Sequence, residues 1–551
     1  SAGGRRVLLA ERMIHDPGPG YVNVRGFAAP TWTGTLTQAL LTLEVGDTAT
    51  PAWPSITLRA VEMEEDEDGD LLFDAEEPGL GTSASLIDTD QDRMEDGLEH
   101  GIGTDPAVDD ADGDPDNDGF SNLEEYAAAT DPLAAGSRPG KPSNPASSAE
   151  TEALLTWLAT LPAREGDRVV LGQHVTDVVP EYPSQVAALP GEAGSQVAAL
   201  GLQYEFVTTA CQADVVNPYA IAWWQAGGVV QIKWSPPNPW TGGANNDRTG
   251  PIDLVELVTP GTPGNTTWMS WLSCLADGLE TLRDAGVVVL WRPMSEMNGA
   301  WFWFGKRPHD HYVAVWRHMH DYFSVTRGLD NLIWTYESDS DVHILLASDY
   351  YYPGEDYVDF FGHNYYQDTW GQLPFESDRV YRNYPKVYGF PQSGSDTIRD
   401  GTWDQTVMLA GVRSRHPRAS WLMTWNTFGA GGTPTNPKWN YNAIIDNPNA
   451  TELLEDPWAV TLDDLDWATA PPACGDGILD LGEVREPALT PACCTAACAL
   501  VGDCDDGDAC TSGDICTAGV CAGALTSCDD GDVCTTDSCA AEAGCQHGAL
   551  A

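Results

Sequence analysis

The chain has 551 residues, enough for two to four domains and at least one large apolar core. With 27 Lys+Arg against 83 Asp+Glu, its formal charge is −56. A surface that acidic makes nucleic acid and anionic membranes poor partners and favours neutral ligands or cations.

At the N-terminus no basic-then-apolar leader is read at Ser1, so a processed chain is expected. Residues 1–61 contain alternating apolar and polar stretches such as LTLEVGD (41–47) and SITLRAVEM (55–63), with Pro and Gly between them. That pattern predicts a small β domain. No run of about 18 apolar residues occurs anywhere, so no transmembrane helix is expected.

Residues 62–132 carry three phased acidic loops. In DPDNDGFSNLEE (114–125), Asp114, Asp116 and Asp118 stand at positions 1, 3 and 5 of a loop. Gly119 follows at 6, the Phe120 carbonyl at 7, Asn122 at 9 and Glu125 at 12. This spacing wraps oxygen ligands around one Ca²⁺, with glycine allowing the sharp turn and the final glutamate binding through both oxygens. Asp88, Asp90, Asp92, Asp96 and Glu99 repeat the phase with Arg93 in place of the glycine, and Asp66, Asp68, Asp70, Asp74 and Glu77 repeat it more weakly. With TDP at 104–106 and again at 130–132, the segment resembles the thrombospondin type 3 repeats of extracellular bacterial proteins. The resemblance implies a calcium-stiffened spacer, with Ca²⁺ as a structural cofactor. Residues 133–150, rich in Pro, Gly and Ser, read as a linker.

Between 151 and 470, eight apolar runs lead into polar ends: 168–174, 200–206, 228–235, 287–296, 332–338, 358–366, 386–394 and 420–426. Helical patterns lie between several, clearest at 266–286 and 309–323. Strands alternating with helices, eight of them, predict a (β/α)8 TIM barrel whose site lies at the strand C-termini. His174, Ser235, Glu296, Tyr365, Gln392 and Trp425 gather there. The fourth run continues as WRPMSEMNGAWFWFG (291–305), placing Glu296 between Arg292 and the indoles of Trp301 and Trp303. A carboxylate with an arginine and tryptophans beside it suits a sugar.

WRPMSEMNGAWFWFG, the turn WSPPNPWTGG (234–243), GTPGNTTWMSWL (261–272) and YYPGEDYVDFFGHNYY (351–366) occur in that order. Together they resemble glycoside hydrolase family 26, mostly endo-acting β-mannanases that retain anomeric configuration. The resemblance implies Glu296 as the acid/base and residue 392 as the nucleophile. It also implies a glycan surface formed by Trp234, Ser235, Arg292, Ser295, Trp301, Trp303, Tyr365, Trp425 and His174. Three positions depart from the family: Gln392 replaces a glutamate, Ser295 a histidine before the acid, and Ser235 the histidine of a Trp-His pair. An amide has nearly the shape of a carboxylate but forms no glycosyl ester. Asp396, Glu337 and Asp339 are the nearby carboxylates open to a compensating role.

Residues 471–551 hold twelve of the 14 cysteines, eight of them in two copies of one repeat starting at Cys504 and Cys528. With few large apolar side chains, one histidine (His547) and no paired CxxC knuckles, the tail is expected to be held by disulfides rather than zinc. It resembles cysteine-rich repeats at the ends of myxobacterial surface proteins. An extracellular or cell-surface location is therefore expected. Three functions fit the whole: a secreted hydrolase of β-mannan-like polysaccharide, an inactive glycan-binding barrel, or a surface or matrix scaffold.

Overall fold

A computed structural model describes residues 67–465, apart from 69, 71, 167, 205–212, 340–345, 371–383, 385 and 430–438, together with pieces of 509–549. The expected β domain at 1–61, Asp66 and half of the tail cysteines lie outside the described residues.

Eight strands close a parallel barrel: β1 Val169–His174, β2 Ala199–Gln203, β3 Val229–Trp234, β4 Val289–Pro293, β5 Leu332–Asp339, β6 Phe360–Tyr366, β7 Val387–Gly394 and β8 Ala419–Thr424. Each pairs with the next, and β1 pairs with β8 through Val170–Trp421 to Gln173–Thr424. The (β/α)8 expectation is met. Helices such as Pro263–Asp284 and His309–Asp321 cover the outside. The first of these begins at a Thr262 cap, whose side chain accepts from the Asn265 N–H, with proline in the first turn.

Alternation along each strand sorts the side chains into two cores. Val170, Ala199, Val229, Leu290, Ile333, Phe360, Val387 and Trp421 fill the lower barrel interior, packed on Leu154, Leu155 and Leu158 of the helix Ala149–Thr160. That helix plugs the underside. Their strand neighbours, including Val169, Ile232, Trp234, Trp291, Trp334, Phe361 and Tyr365, pack outward against the helices. Trp234 stacks between Trp268 and Trp291 with centroids 5.3 and 6.4 Å away.

One strand breaks the alternation, and the break matters. β7 contains Pro391, which has no N–H to give to the ladder, and its register shifts between Phe390 and Ser393. Gly389 faces inward and Phe390 outward; the Pro391 ring then lies inward against Gly362, and across the bulge Gln392 follows it on the same face instead of turning outward. The bulge delivers Gln392 to the barrel mouth, opposite Asn364 of β6.

The predicted linker lies along the barrel. Asn144 donates to the Leu329 carbonyl, the Ser143 N–H to Asp359, and Gly140 (φ 69°) runs so close to Thr156 that a Cβ would collide with its backbone. In the tail, two antiparallel hairpins, Thr511–Thr517 with Val520–Leu525 and Thr535–Ala540 with Gly544–Ala549, repeat the 24-residue sequence period. Cys510–Cys539 links the two copies and Cys528–Cys545 closes the second. Cys274, which stands apart from the tail in sequence, is also disulfide-bonded.

The outward placement of Trp234 is testable. Trp234→Ala should destabilise the barrel by about 3–5 kcal/mol in urea unfolding followed by circular dichroism. A change under about 0.5 kcal/mol, as for a surface residue, would put the indole in the mouth instead.

Candidate active site

The C-terminal ends of the strands surround a cleft of about 560 Å³. That is a usual size for a small-ligand or oligosaccharide subsite. Its floor and walls include Lys233, Glu296, Tyr366, Gln392 and Trp425, with Trp301 and Phe302 at the rim.

Glu296 stands just past β4 in the left-handed backbone region (φ 60°), as does Met294 (φ 49°). Such conformations cost non-glycine residues about 1–3 kcal/mol and persist where surrounding contacts impose them. Here the Glu296 N–H donates to the Glu337 carbonyl (3.0 Å), and the Met294 N–H to the Trp234 carbonyl (2.8 Å). The carboxylate then accepts three N–H groups. Asn364 Nδ2 and Gln392 Nε2 (3.2 Å) meet Oε1, and Trp301 Nε1 (2.5 Å) meets Oε2. Gly299 permits the last of these, because the Trp301 ring lies back over the space where a side chain at 299 would sit.

Residue 392 faces Glu296 directly. The Gln392 amide donates to Glu296 and, at 2.9 Å, to the Tyr366 hydroxyl, while its oxygen accepts from Arg292. Arg292 is wholly buried and spends its remaining donors on the Pro391 carbonyl (3.0 Å) and on Glu337. Burial pushes Glu337 up to about 7, opposed by the Arg292 charge. Trp425 backs the cleft, with the His174 ring stacked at 4.1 Å and the Lys233 ammonium 4.6 Å from its centroid. Burial, together with the Arg292 and Lys233 charges, holds His174 well below the usual imidazole range, so it is neutral.

The structure thus brings Glu296, Gln392, Arg292, Trp301, Trp425 and His174 together. Other expected members of the glycan surface require correction. Trp234 and Tyr365 point outward into the helix shell, and Trp303 is buried with its indole N–H on the Pro236 carbonyl. Ser235 and Ser295 are buried behind the wall and do not border the cleft. Asp396 turns to Arg399 (3.6 Å), Asp339 lines the cleft, and Glu337 lies beneath the floor rather than in it. Tyr366, Asn364, Lys233 and Gln203 were not singled out from sequence. The signal that finds them is strand parity: Gly362 faces in, so 364 and 366 do too, and Tyr365 does not.

In the acidic repeats, Asp114, Asp116 and Asp118 converge, as do Asp88, Asp90 and Asp92. Two further groups cross between repeats: Asp70 and Glu77 meet Asp96, and Asp92 and Glu99 meet Asp110. Asp96 thus reaches the preceding repeat while its carboxylate also accepts from the N–H and hydroxyl of Thr89 in its own loop. Asn122, expected at position 9 of the third loop, turns its amide to Asp110. Arg93 adopts the backbone of the missing glycine (φ 83°), and its side chain donates to the Pro162 and Arg164 carbonyls under the barrel. Glu99 Oε2, Glu125 Oε2 and Asp118 Oδ2 are buried with no donor among the described residues. Burial and neighbouring carboxylates push Glu99 up to about 9 and Glu125 to about 8. Oxygen-only donor sets with orphaned buried carboxylate atoms fit a hard divalent cation.

An eight-stranded barrel with a carboxylate, a buried arginine and indoles at its strand ends defines a glycosidase-type protein. The sequence profile of glycosyl hydrolase family 26 matches residues 143–464, and the chain belongs to that family. A mannan endo-1,4-beta-mannosidase A and B of Caldalkalibacillus mannanilyticus is 29% identical over 348 residues, covering 60% of this chain and 64% of that protein. The match therefore spans just under two thirds of that relative. A mannan endo-1,4-beta-mannosidase of Bacillus subtilis is 29% identical over 304 residues, covering 52% of this chain and 82% of its own length. Among solved structures, a Bacillus subtilis mannanase aligns with a TM-score of 0.51 and 26% identity, over 58% of this chain and 95% of that one.

The rim geometry predicts different roles for two neighbouring indoles. Trp303→Phe should lower the thermal midpoint by unpairing the Pro236 carbonyl, worth about 1–3 kcal/mol. Trp301→Phe, which removes a donor from the Glu296 carboxylate rather than from a neutral carbonyl, should cost about 1.5–3 kcal/mol in the same measurement.

Proposed function

We propose that the barrel is an extracellular glycan-binding member of the family that holds a β-mannan-type chain in its cleft without cleaving it by the retaining route. The observation that carries this reading is Gln392, hydrogen-bonded at 3.2 Å to the one carboxylate it should oppose. A retaining glycosidase attacks the sugar with an anion and forms a glycosyl ester. An amide supplies neither. Donors from Asn364, Gln392 and Trp301 also leave Glu296 acting as an acceptor, a role suited to holding sugar hydroxyls. Both curated relatives act on mannan by name, which supports that substrate class for the cleft. Trp301 and Trp425 give it apolar faces for pyranose rings.

On this reading the acidic repeats bind structural Ca²⁺ through Asp88, Asp90, Asp92, Glu99, Asp114, Asp116, Asp118 and Glu125, joined by Asp110. The cation would neutralise carboxylates that burial alone disfavours. The tail disulfides support an oxidising compartment and a role in anchoring or spacing at a cell surface. Among the described residues no helix is long and apolar enough to cross a membrane.

Titration calorimetry with manno-oligosaccharides beside a reducing-sugar assay decides between the functions. Heat without sugar release is expected. Release that drops about 10²-fold in Glu296→Gln, a general-acid magnitude, would instead show turnover. Neither heat nor release would leave the barrel as a scaffold. Trp301→Ala should weaken binding by about 0.5–1.5 kcal/mol, roughly two- to thirteenfold. For the repeats, EDTA should speed proteolysis within residues 85–132 and added Ca²⁺ should reverse it; identical cutting rates would remove calcium from the account.

A further inference from the structure

Position 392 lacks a negative charge, yet the guanidinium beneath it is not left without a counter-ion. Arg292 is wholly buried, and its Nε is met by Glu337, a wholly buried residue of β5. The other Arg292 arm reaches the Gln392 amide oxygen. Among the described residues Glu337 Oε1 has no hydrogen-bond partner, and the other oxygen is held by Arg292. A free primary amide can turn either end toward a neighbour. Here its orientation follows from the chain of contacts: Glu337 fixes Arg292, Arg292 takes the amide oxygen, and Nε2 is left facing Glu296 and Tyr366. With Nε2 so turned, the cleft floor presents a donor at 392 where a carboxylate would present an acceptor.

We propose that Glu337 is a positioning residue of the glycan site: it carries, one layer below the floor, the charge that residue 392 lacks, and through Arg292 it sets which end of the Gln392 amide faces the cleft. The assignment rests on the glycan-binding reading for its purpose, though not for its geometry. Groups that face Glu337 are Arg292 and Glu296 at the end of β4, Lys233 of β3, Tyr366 of β6 and Tyr312 of the helix His309–Asp321. Burial pushes Glu337 up to about 7, so its charge changes within an accessible range.

The test is a pH titration of the Gln392 side-chain amide in the full-length protein with ¹⁵N-labelled glutamine. The signal pair is assigned by its loss in Gln392→Glu. In wild type it should shift through a transition centred near pH 7. Glu337→Gln should abolish that transition; a change that persists in the variant belongs to another group. Because Glu337→Gln leaves a buried guanidinium without its anion, the double variant Glu337→Gln/Arg292→Met, which removes both charges, is measured beside it and should also lack the transition. An amide that does not titrate in wild type, or that titrates unchanged in either variant, overturns the proposal. The measurement needs no sugar, so a failure of glycan binding in calorimetry would strike the functional reading alone.

Discussion

The barrel mouth is organised around the demand of one buried guanidinium. Removing Arg292 from water costs several kcal/mol unless its donors are met, and two other strand ends supply the acceptors. β5 supplies Glu337, and β7 supplies both the Pro391 carbonyl and the Gln392 amide oxygen, while β4 carries Arg292 itself. Those contacts tie β4 to β5 and reach across the barrel to β7. Glu296, four residues beyond Arg292, inherits its place from that knot. Its strained backbone is held by the carbonyl of the same Glu337 whose side chain holds the arginine.

Aromatic residues at the strand ends divide by which way their strand turns them. Twenty-one tryptophans give the chain ample stacking surface, but most of those at β3–β8 serve the helix shell. Trp234 and Tyr365 sit beside inward residues in sequence and on the opposite face in space. Trp425 keeps the inward parity of Trp421 and Met423 on β8, and Trp301 lies in the loop after β4, where alternation no longer applies. The cleft therefore combines a few exposed rings with amides, Lys233 and one hydrogen-bonded carboxylate.

Beneath the barrel, the acidic repeats and the segment after them are fastened rather than merely tethered. Arg93 reaches carbonyls at 162 and 164, Arg418 donates to the Tyr126 carbonyl at 3.3 Å, and Ala128 enters the interior cluster. A repeat array that shares carboxylates between units and inserts its last helix against the plug helix transmits its own rigidity to the barrel floor.

The sequence alone determined the strand–helix alternation, the closure into eight, the acidic repeats and the prominence of Glu296 and Gln392. Those features are periodic or local, and their chemistry is written in adjacent residues. What only the tertiary structure decided was orientation and partnership. The Pro391 bulge re-aims β7 by one residue, so counting from the strand start would have pointed Gln392 outward. Glu337 becomes the partner of Arg292 across 45 positions of chain, and Asp96 meets Asp70 and Glu77 of the repeat before its own. Side-chain direction within a strand is fixed by register with its neighbours, and buried charges choose partners by proximity in space. Neither quantity is encoded at any single position, which is why the residues of the site were legible as a set while their roles were not.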